Sequence, residues 1–224
     1  MSDDKYAQRQ PFDALNTRGL TAKREYVRGL EQRADPEALS LLIECLCDES
    51  WYLRDLASQS FLRLGDAHAG LLLPLLDTGL WYTRTSAANL LGRLAYRRAV
   101  PALVALADDA NRTVADAAQD ALLAIARQGG SFRFAHVVHR LTGDLRRRRV
   151  EELRDRDRAT CDRVERMLRN EELMSADDDG GLADDSPMVR TSEDGVVWEV
   201  LTSPGPSPSS SPPGGGGHAE RRDA

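Results

Sequence analysis

Aromatic residues make up only 5% of this 224-residue chain, and cysteine occurs three times. Any core must therefore come mainly from Leu, Ala and Val, and Leu and Ala favour helix over sheet. Cys45, Cys47 and Cys161 are an odd count, and the first two sit inside one apolar run. That is not a disulfide framework; such thiols act as small hydrophobes, and a reducing compartment is expected. No apolar run approaches the ~20 residues needed to span a bilayer. The start, MSDDKYAQRQP, is polar and acidic, unlike a signal peptide. The expectation is a cytoplasmic protein without membrane insertion.

Catalytic signatures are missing as well. The chain has no GxSxG, no P-loop, no GxGxxG opening a helix after a strand, and no HExxH. Neither catalytic residues, nor a cofactor, nor a metal is expected. His136 and His139 lie three apart, but HxxH without further ligands is weak metal evidence, and the default is a helix surface. A basic footprint across the whole chain is absent too. Net charge is −6 in total: −2 over residues 1–130, +5 over 131–169 and −9 over 170–224.

An internal repeat is present. Residues 48–65 (DESWYLRDLASQSFLRLG), 77–95 (DTGLWYTRTSAANLLGRLA) and 109–126 (DANRTVADAAQDALLAIA) align at spacings of 30 and then 31 residues. Equivalent positions are Arg54, Arg84 and Ala115; Ala57, Ala87 and Ala118; Phe61, Leu91 and Leu122; and Leu64, Leu94 and Ile125. Offsets of 3, 4 and 7 place these on one helix face. A second apolar stretch precedes each anchor aspartate: PEALSLLIECLC, AHAGLLLPLL and AVPALVALAD. Asp35 followed by Pro36 reads as a cap with proline at the first helical position, and Asp66 and Asn111 are further cap candidates. The unit is helix, turn, helix, with an apolar side that only a neighbouring unit can bury.

These residues resemble HEAT-repeat proteins, in particular the short bacterial HEAT-like repeats also found in phycobilisome lyases. The likeness is carried by Asp48, Leu53, Arg54, Ala57, Leu64 and Gly65, then by Asp77, Arg84, Ala87, Ala88 and Leu94; the third repeat departs, with Ala115 in the arginine position. The resemblance covers about residues 21–145. It implies an α-solenoid in which Asp and Arg form a ladder between neighbouring turns, and it says little about function.

The expected fold is all-α: a short α-solenoid of HEAT-like helix pairs over residues 21–143, after an N-terminal extension, 1–20. Thr21 opens an N-terminal capping helix with Tyr26, Val27 and Leu30 on one side, and Ser131 is a candidate cap for a helix presenting Phe134, Val138, Leu141 and Leu145. Residues 144–174 read as one long charged helix, laced by i,i+4 pairs such as Arg148–Glu152 and Glu152–Arg156. Residues 175–224 read as an acidic, Pro/Ser/Gly-rich disordered tail. Within it, residues 187–201 hold Asp194-Gly195 between two β-prone runs, a hairpin signal around Trp198.

Trp51 and Trp81 begin equivalent helices, each followed by a tyrosine (Tyr52, Tyr82) and then by Arg54 or Arg84. The default is that each Trp packs on the adjoining turn while Arg54 and Arg84 pair with Asp48 and Asp77. The functional alternative is an aromatic and arginine ledge that anchors a partner. For the run Arg146–Arg149, phosphate or anionic-lipid binding competes with the default of a solvated, internally neutralised face. Trp198 fits either a tethered binding strand or an intramolecular dock.

The function expected is non-catalytic protein–protein binding, as a scaffold or adaptor. Its candidate contacts are Trp51, Tyr52, Trp81, Tyr82, Arg84 and Arg112, with Trp198 as a second contact. Two rivals remain open: a lyase-like accessory handling a chromophore or cofactor, which needs a pocket and a reactive nucleophile, and a nucleic-acid-binding HEAT-like protein, which needs a basic concave face.

Overall fold

Caps and apolar spacing set the helix boundaries. Asp35 accepts the Ala38 backbone N–H at 2.8 Å and Pro36 occupies the first helical position, which starts α2. Asn111 does the same for α6, accepting from the Thr113 N–H at 3.0 Å. The computed structural model describes residues 19–175. Among them every regular element is helical: α1 (Leu20–Arg33), α2 (Pro36–Cys47), α3 (Trp51–Leu64), a 3-10 segment (Asp66–Leu76), α4 (Trp81–Arg93), a short 3-10 turn (Arg97–Ala99), α5 (Val100–Leu106), α6 (Arg112–Ile125), a π segment (Ala126–Gly130), α7 (Ser131–His139), α8 (Gly143–Arg156), α9 (Arg158–Leu168) and α10 (Glu171–Ser175). The N-terminal extension up to residue 18, the tail from 176 and the 187–201 hairpin with Trp198 lie outside the described residues.

The helices that begin at Trp51, Trp81 and Arg112 contact one another in turn. α3 contacts α4 and α4 contacts α6, while the 3-10 segment contacts α5 and α5 contacts α7. The recurring positions face inward in all three units. Ala57, Ala87 and Ala118 are fully buried, as are Phe61 and Leu91, with Leu122 4% exposed. The tightest approach joins α4 to α6: a Cβ on Gly92 would lie 2.6 Å from the Ala121 Cα. Only a residue without a side chain lets the two backbones meet there. In α1, Val27 and Leu30 are buried and Tyr26 is half-buried, as their shared face requires.

Three elements depart from the sequence-based expectation. Residues 66–76 form a 3-10 rather than an α-helix. Pro74 lies inside, and proline removes an N–H and clashes with the carbonyl four residues back. Asp66 is not its cap; it belongs to the first turn, and Gly65 (φ 80°) sits ahead of it. Ser131 is likewise not a cap but the first residue of α7, and its hydroxyl donates to the Ala126 carbonyl at 2.8 Å.

The expected single helix over 144–174 is divided. Asp157 adopts extended backbone (φ −159°, ψ 102°), closes α8, and caps α9 by accepting from the Thr160 N–H at 3.2 Å. It also holds Arg127 of the π segment at 2.6 Å. These bonds hold its carboxyl below the usual aspartate range, the Thr160 N–H contributing most and Arg127 next. After the break the chain turns back, so that α9 packs on both α8 and α7.

Charged side chains in this region bond across elements instead of along one helix. Arg156 reaches Gln119 (2.8 Å), Asp116 (3.3 Å) and Asp120 on α6, and Arg148 reaches Asp108 at 3.1 Å. The run Arg146–Arg149 is therefore not a solvated face throughout. Arg149 is 2% exposed and pairs with both Asp108 and Glu152. Arg146 donates to the His139 carbonyl, and Arg147 pairs with Asp144.

Candidate aromatic ledge

α3 and α4 start one repeat apart, and each places its tryptophan in the first turn. Trp51 is 70% exposed and Trp81 48% exposed, with Leu80 also exposed between them in sequence. The reading in which each Trp packs away on its adjoining turn does not describe these positions. In both units the indole meets the following tyrosine edge-on, with ring centroids 5.8 Å apart and planes at 78° and 77°. Such T-shaped pairs suit the ring quadrupoles, so the geometry repeats with the sequence.

The tyrosines are tied down from behind. Tyr52 Oη accepts from Arg24 of α1 at 3.1 Å. The Arg54 guanidinium lies 4.5 Å from the Tyr82 ring centroid, which links α3 to α4. Arg54 also donates to the carbonyls of Asp48 (2.7 Å) and Glu49 (2.8 Å).

Arg84, its equivalent, does not use Asp77. It grips Asp109 of the next unit with Nε at 2.9 Å and Nη2 at 3.2 Å, and donates from Nη1 to the Gly79 carbonyl at 2.8 Å. Asp109 in turn accepts the Asn111 N–H at 2.7 Å, as Asp48 accepts that of Ser50. Burial pushes the Asp109 carboxyl up, but Arg84 and the Asn111 N–H outweigh it and hold the group below its ordinary value. Arg84 is thus an inter-unit tie. Arg112, at the start of α6, is 94% exposed at its side chain and lies 3.6 Å from Asp116.

A groove of about 260 Å³ runs beside the ledge between α3 and α4, lined by Trp51, Arg54 and Ser58 on one side and Ser86, Asn89 and Arg93 on the other, with Asp55. The polar wall residues Ser86, Asn89 and Arg93 carry no repeat or motif signal; only the register of α4 against α3 identifies them. The structure brings Trp51, Tyr52, Trp81 and Tyr82 onto neighbouring helix starts and puts Arg112 at the next one. Trp198 lies outside the described residues.

The thiols are poor nucleophiles. Burial pushes Cys45 up to about 12, the neighbouring acids Asp48 and Glu44 adding to the effect. Burial also raises Cys161. Cys47 is the exposed one; desolvation raises it too, partly offset by a hydrogen bond with Thr83. His136, expected on a helix surface, is buried at 1% exposure and stacks on Phe132 with ring centroids 6.0 Å apart. α7 is covered by α5, α9 and the π segment, which leaves that face no solvent. Among the described residues no group of three metal-ligating side chains forms, and no helix is long and apolar enough to cross a membrane. No protein-family model matches the chain, and no curated protein matches it.

Proposed function

We propose that this protein is a non-catalytic protein-interaction scaffold or adaptor, built on HEAT-like helix pairs stacked as a short α-solenoid, and that the Trp51–Trp81 ledge is its recognition surface. The observation that supports it is the matched exposure of two tryptophans at the same position of consecutive helices. Large aromatics are normally drawn inside or into interfaces, where each buries roughly 150–250 Å² in all, and the uncovered part of both indoles, 70% and 48%, is still open to a partner. At ~25 cal/mol per Å² of apolar area, that is several kcal/mol held in reserve for binding. Tyr52 and Tyr82 are already fixed by Arg24 and Arg54, so little side-chain entropy remains to be lost on docking.

Within this reading the partner is another protein. Trp51, Trp81 and Arg112 make direct contact, Tyr52 and Tyr82 brace the indoles, and Arg84 fixes the spacing of the second and third units. The lyase-like rival has less support, because the thiols are held protonated. The nucleic-acid rival has less because the arginine run that would meet phosphates is engaged by carboxylates and carbonyls.

The test uses the full chain as bait in nuclease-treated lysate, beside a Trp51→Ala/Trp81→Ala double variant. The expected result is a protein partner retained by the wild type and lost by the variant, with unchanged thermal melting. A variant that melts much earlier, with binding that tracks the folded fraction, would make the ledge part of the core and overturn the reading. Equal capture by both would also overturn it.

A further inference from the structure

The groove between α3 and α4 has an indole on one wall, and its polar groups are unequally used. Three ionisable side chains line it: Arg54, Asp55 and Arg93. The Arg54 guanidinium is held by neutral groups alone, the carbonyls of Asp48 and Glu49 and the ring of Tyr82. Asp55 accepts from the Gln59 carboxamide at 2.7 Å, and the Ser58 hydroxyl donates to the Arg54 carbonyl at 2.7 Å. Arg93 has no hydrogen-bond or ion-pair partner among the described residues, and neither have Ser86 and Asn89. The lining thus carries one net positive charge, and its open polar groups all stand on α4.

Spacing gives these groups an order. Ser86, Asn89 and Arg93 follow one another at three and four residues, so they form one stripe along α4, about 10 Å from first to last. Leu90, 1% exposed, closes the floor beside them. About three residues of extended chain span that length. A volume of about 260 Å³ spread over it leaves a channel about 5 Å across, which is the width of one strand and half that of a helix. A carboxamide both donates and accepts, so Asn89 is equipped to hold one peptide unit by its N–H and its C=O. A free guanidinium takes a carboxylate through two parallel N–H···O bonds. An indole open to water, as Trp51 is, offers its face to an apolar side chain.

We infer, resting on the ledge reading above, that this groove binds an extended acidic segment of the partner protein, with a carboxylate on Arg93, a peptide unit on Asn89 and an apolar side chain against Trp51. A nucleic-acid strand fits less well, because it brings a phosphate with every nucleotide to a lining with one net charge.

The probe is a capped pentapeptide with leucine second, glutamate fourth and serine elsewhere, titrated into the isotope-labelled full chain. In an extended chain the leucine and the glutamate face the same side. The glutamate peptide moves the Trp51 indole and Asn89 carboxamide signals saturably. Its glutamine counterpart binds about three- to fivefold more weakly, the size of one partly exposed ion pair, and its lysine counterpart more weakly still. Arg93→Gln removes the difference between the glutamate and glutamine peptides; Arg93 is exposed, so this variant keeps the fold. Asn89→Ala weakens both peptides alike, as a main-chain contact requires. Equal affinity for all three peptides, or a glutamate preference that survives Arg93→Gln, would overturn the inference. So would an oligothymidylate that displaces the peptide at lower concentration. Absence of peptide binding, while a captured protein is still lost in Trp51→Ala/Trp81→Ala, would overturn this inference and leave the ledge reading standing. Glutamate-peptide binding that Arg93→Gln weakens and Trp51→Ala does not would keep the acidic specificity and count against the ledge instead.

Discussion

Two regions of this protein invert the usual placement of residue types. In residues 51–94 the bulky tryptophans face water and the helices meet through alanine and glycine; Ala57, Ala87 and Ala88 are fully buried, and Gly92 presses on Ala121. In residues 143–168 an arginine is buried, and the contacts to α6 run through Arg156 and its acceptors Asp116, Gln119 and Asp120. The first region is held by shape and the second by charge. Small-residue seams tolerate no added volume, while buried ion pairs tolerate no lost partner. Each region therefore has its own way of failing.

The largest effect is expected at the α4–α6 seam. Gly92→Val would place a branched side chain where even a Cβ lies 2.6 Å from the Ala121 Cα, and the obstacle is backbone that cannot rotate aside. The expected loss is about 3–4 kcal/mol by chemical denaturation, at or above the usual overpacking range. Gly29→Ala on α1 is the control. Nothing lies within 4 Å of a Cβ there, and the change is expected to stabilise by up to about 1 kcal/mol through helix propensity. Equal responses at the two glycines would mean that shape does not hold the first region.

The second region is tested at Asp108 and Arg149. Asp108→Asn leaves the buried guanidinium with Glu152 alone and is expected to cost about 2–3 kcal/mol, because an uncompensated charge remains inside. Arg149→Met removes the charge and keeps much of the volume. It strands Asp108, which is exposed and still has Arg148, and Glu152, which is half-buried and still reaches water, so the cost is expected below that of Asp108→Asn, at about 1 kcal/mol. The order of the two variants is the result to check; the reverse order would assign the stabilisation to the arginine's packing. The Asp108 carboxyl has a depressed pKa in the folded state. Its stabilising share is thus fully present above the unfolded value of about 3.9 and is lost as pH falls through the lower folded value. The gap between wild type and Asp108→Asn should be constant from about pH 5 to 7 and should shrink below about pH 4.

What could be read beforehand follows the same division. The helix starts at Trp51, Trp81 and Arg112 and the caps Asp35 and Asn111 are local patterns, and they match the structure because capping and apolar spacing act within a few residues. The 144–174 segment looked like one helix because its charges could satisfy one another at i,i+4. Asp157 instead takes Arg127, thirty residues away in sequence, and Asp108 takes Arg149 from forty-one residues away. No local pattern announces such long-range bonds, and they decide both the break in the helix and the burial of Arg149. Arg84 illustrates the middle case. Its repeat position marked it as structural or functional, but only the stacked neighbour shows that its partner is Asp109.

The smallest effect is expected at the ledge. Trp51→Ala and Trp81→Ala remove side chains that are 70% and 48% exposed, so little burial is lost on folding. What goes is one edge-on tyrosine contact in each case, worth about 0.5–1.5 kcal/mol at most and less where water reaches both rings. Each single variant is expected to lose less than about 0.5 kcal/mol, Trp81 slightly more than Trp51 because it is less exposed. The two losses should add, since the first turns that carry them belong to separate units. A loss of 2 kcal/mol or more at either position would mean that the indole is part of the packed core, and the contrast between an aromatic rim built for contact and a charged seam built for stability would disappear.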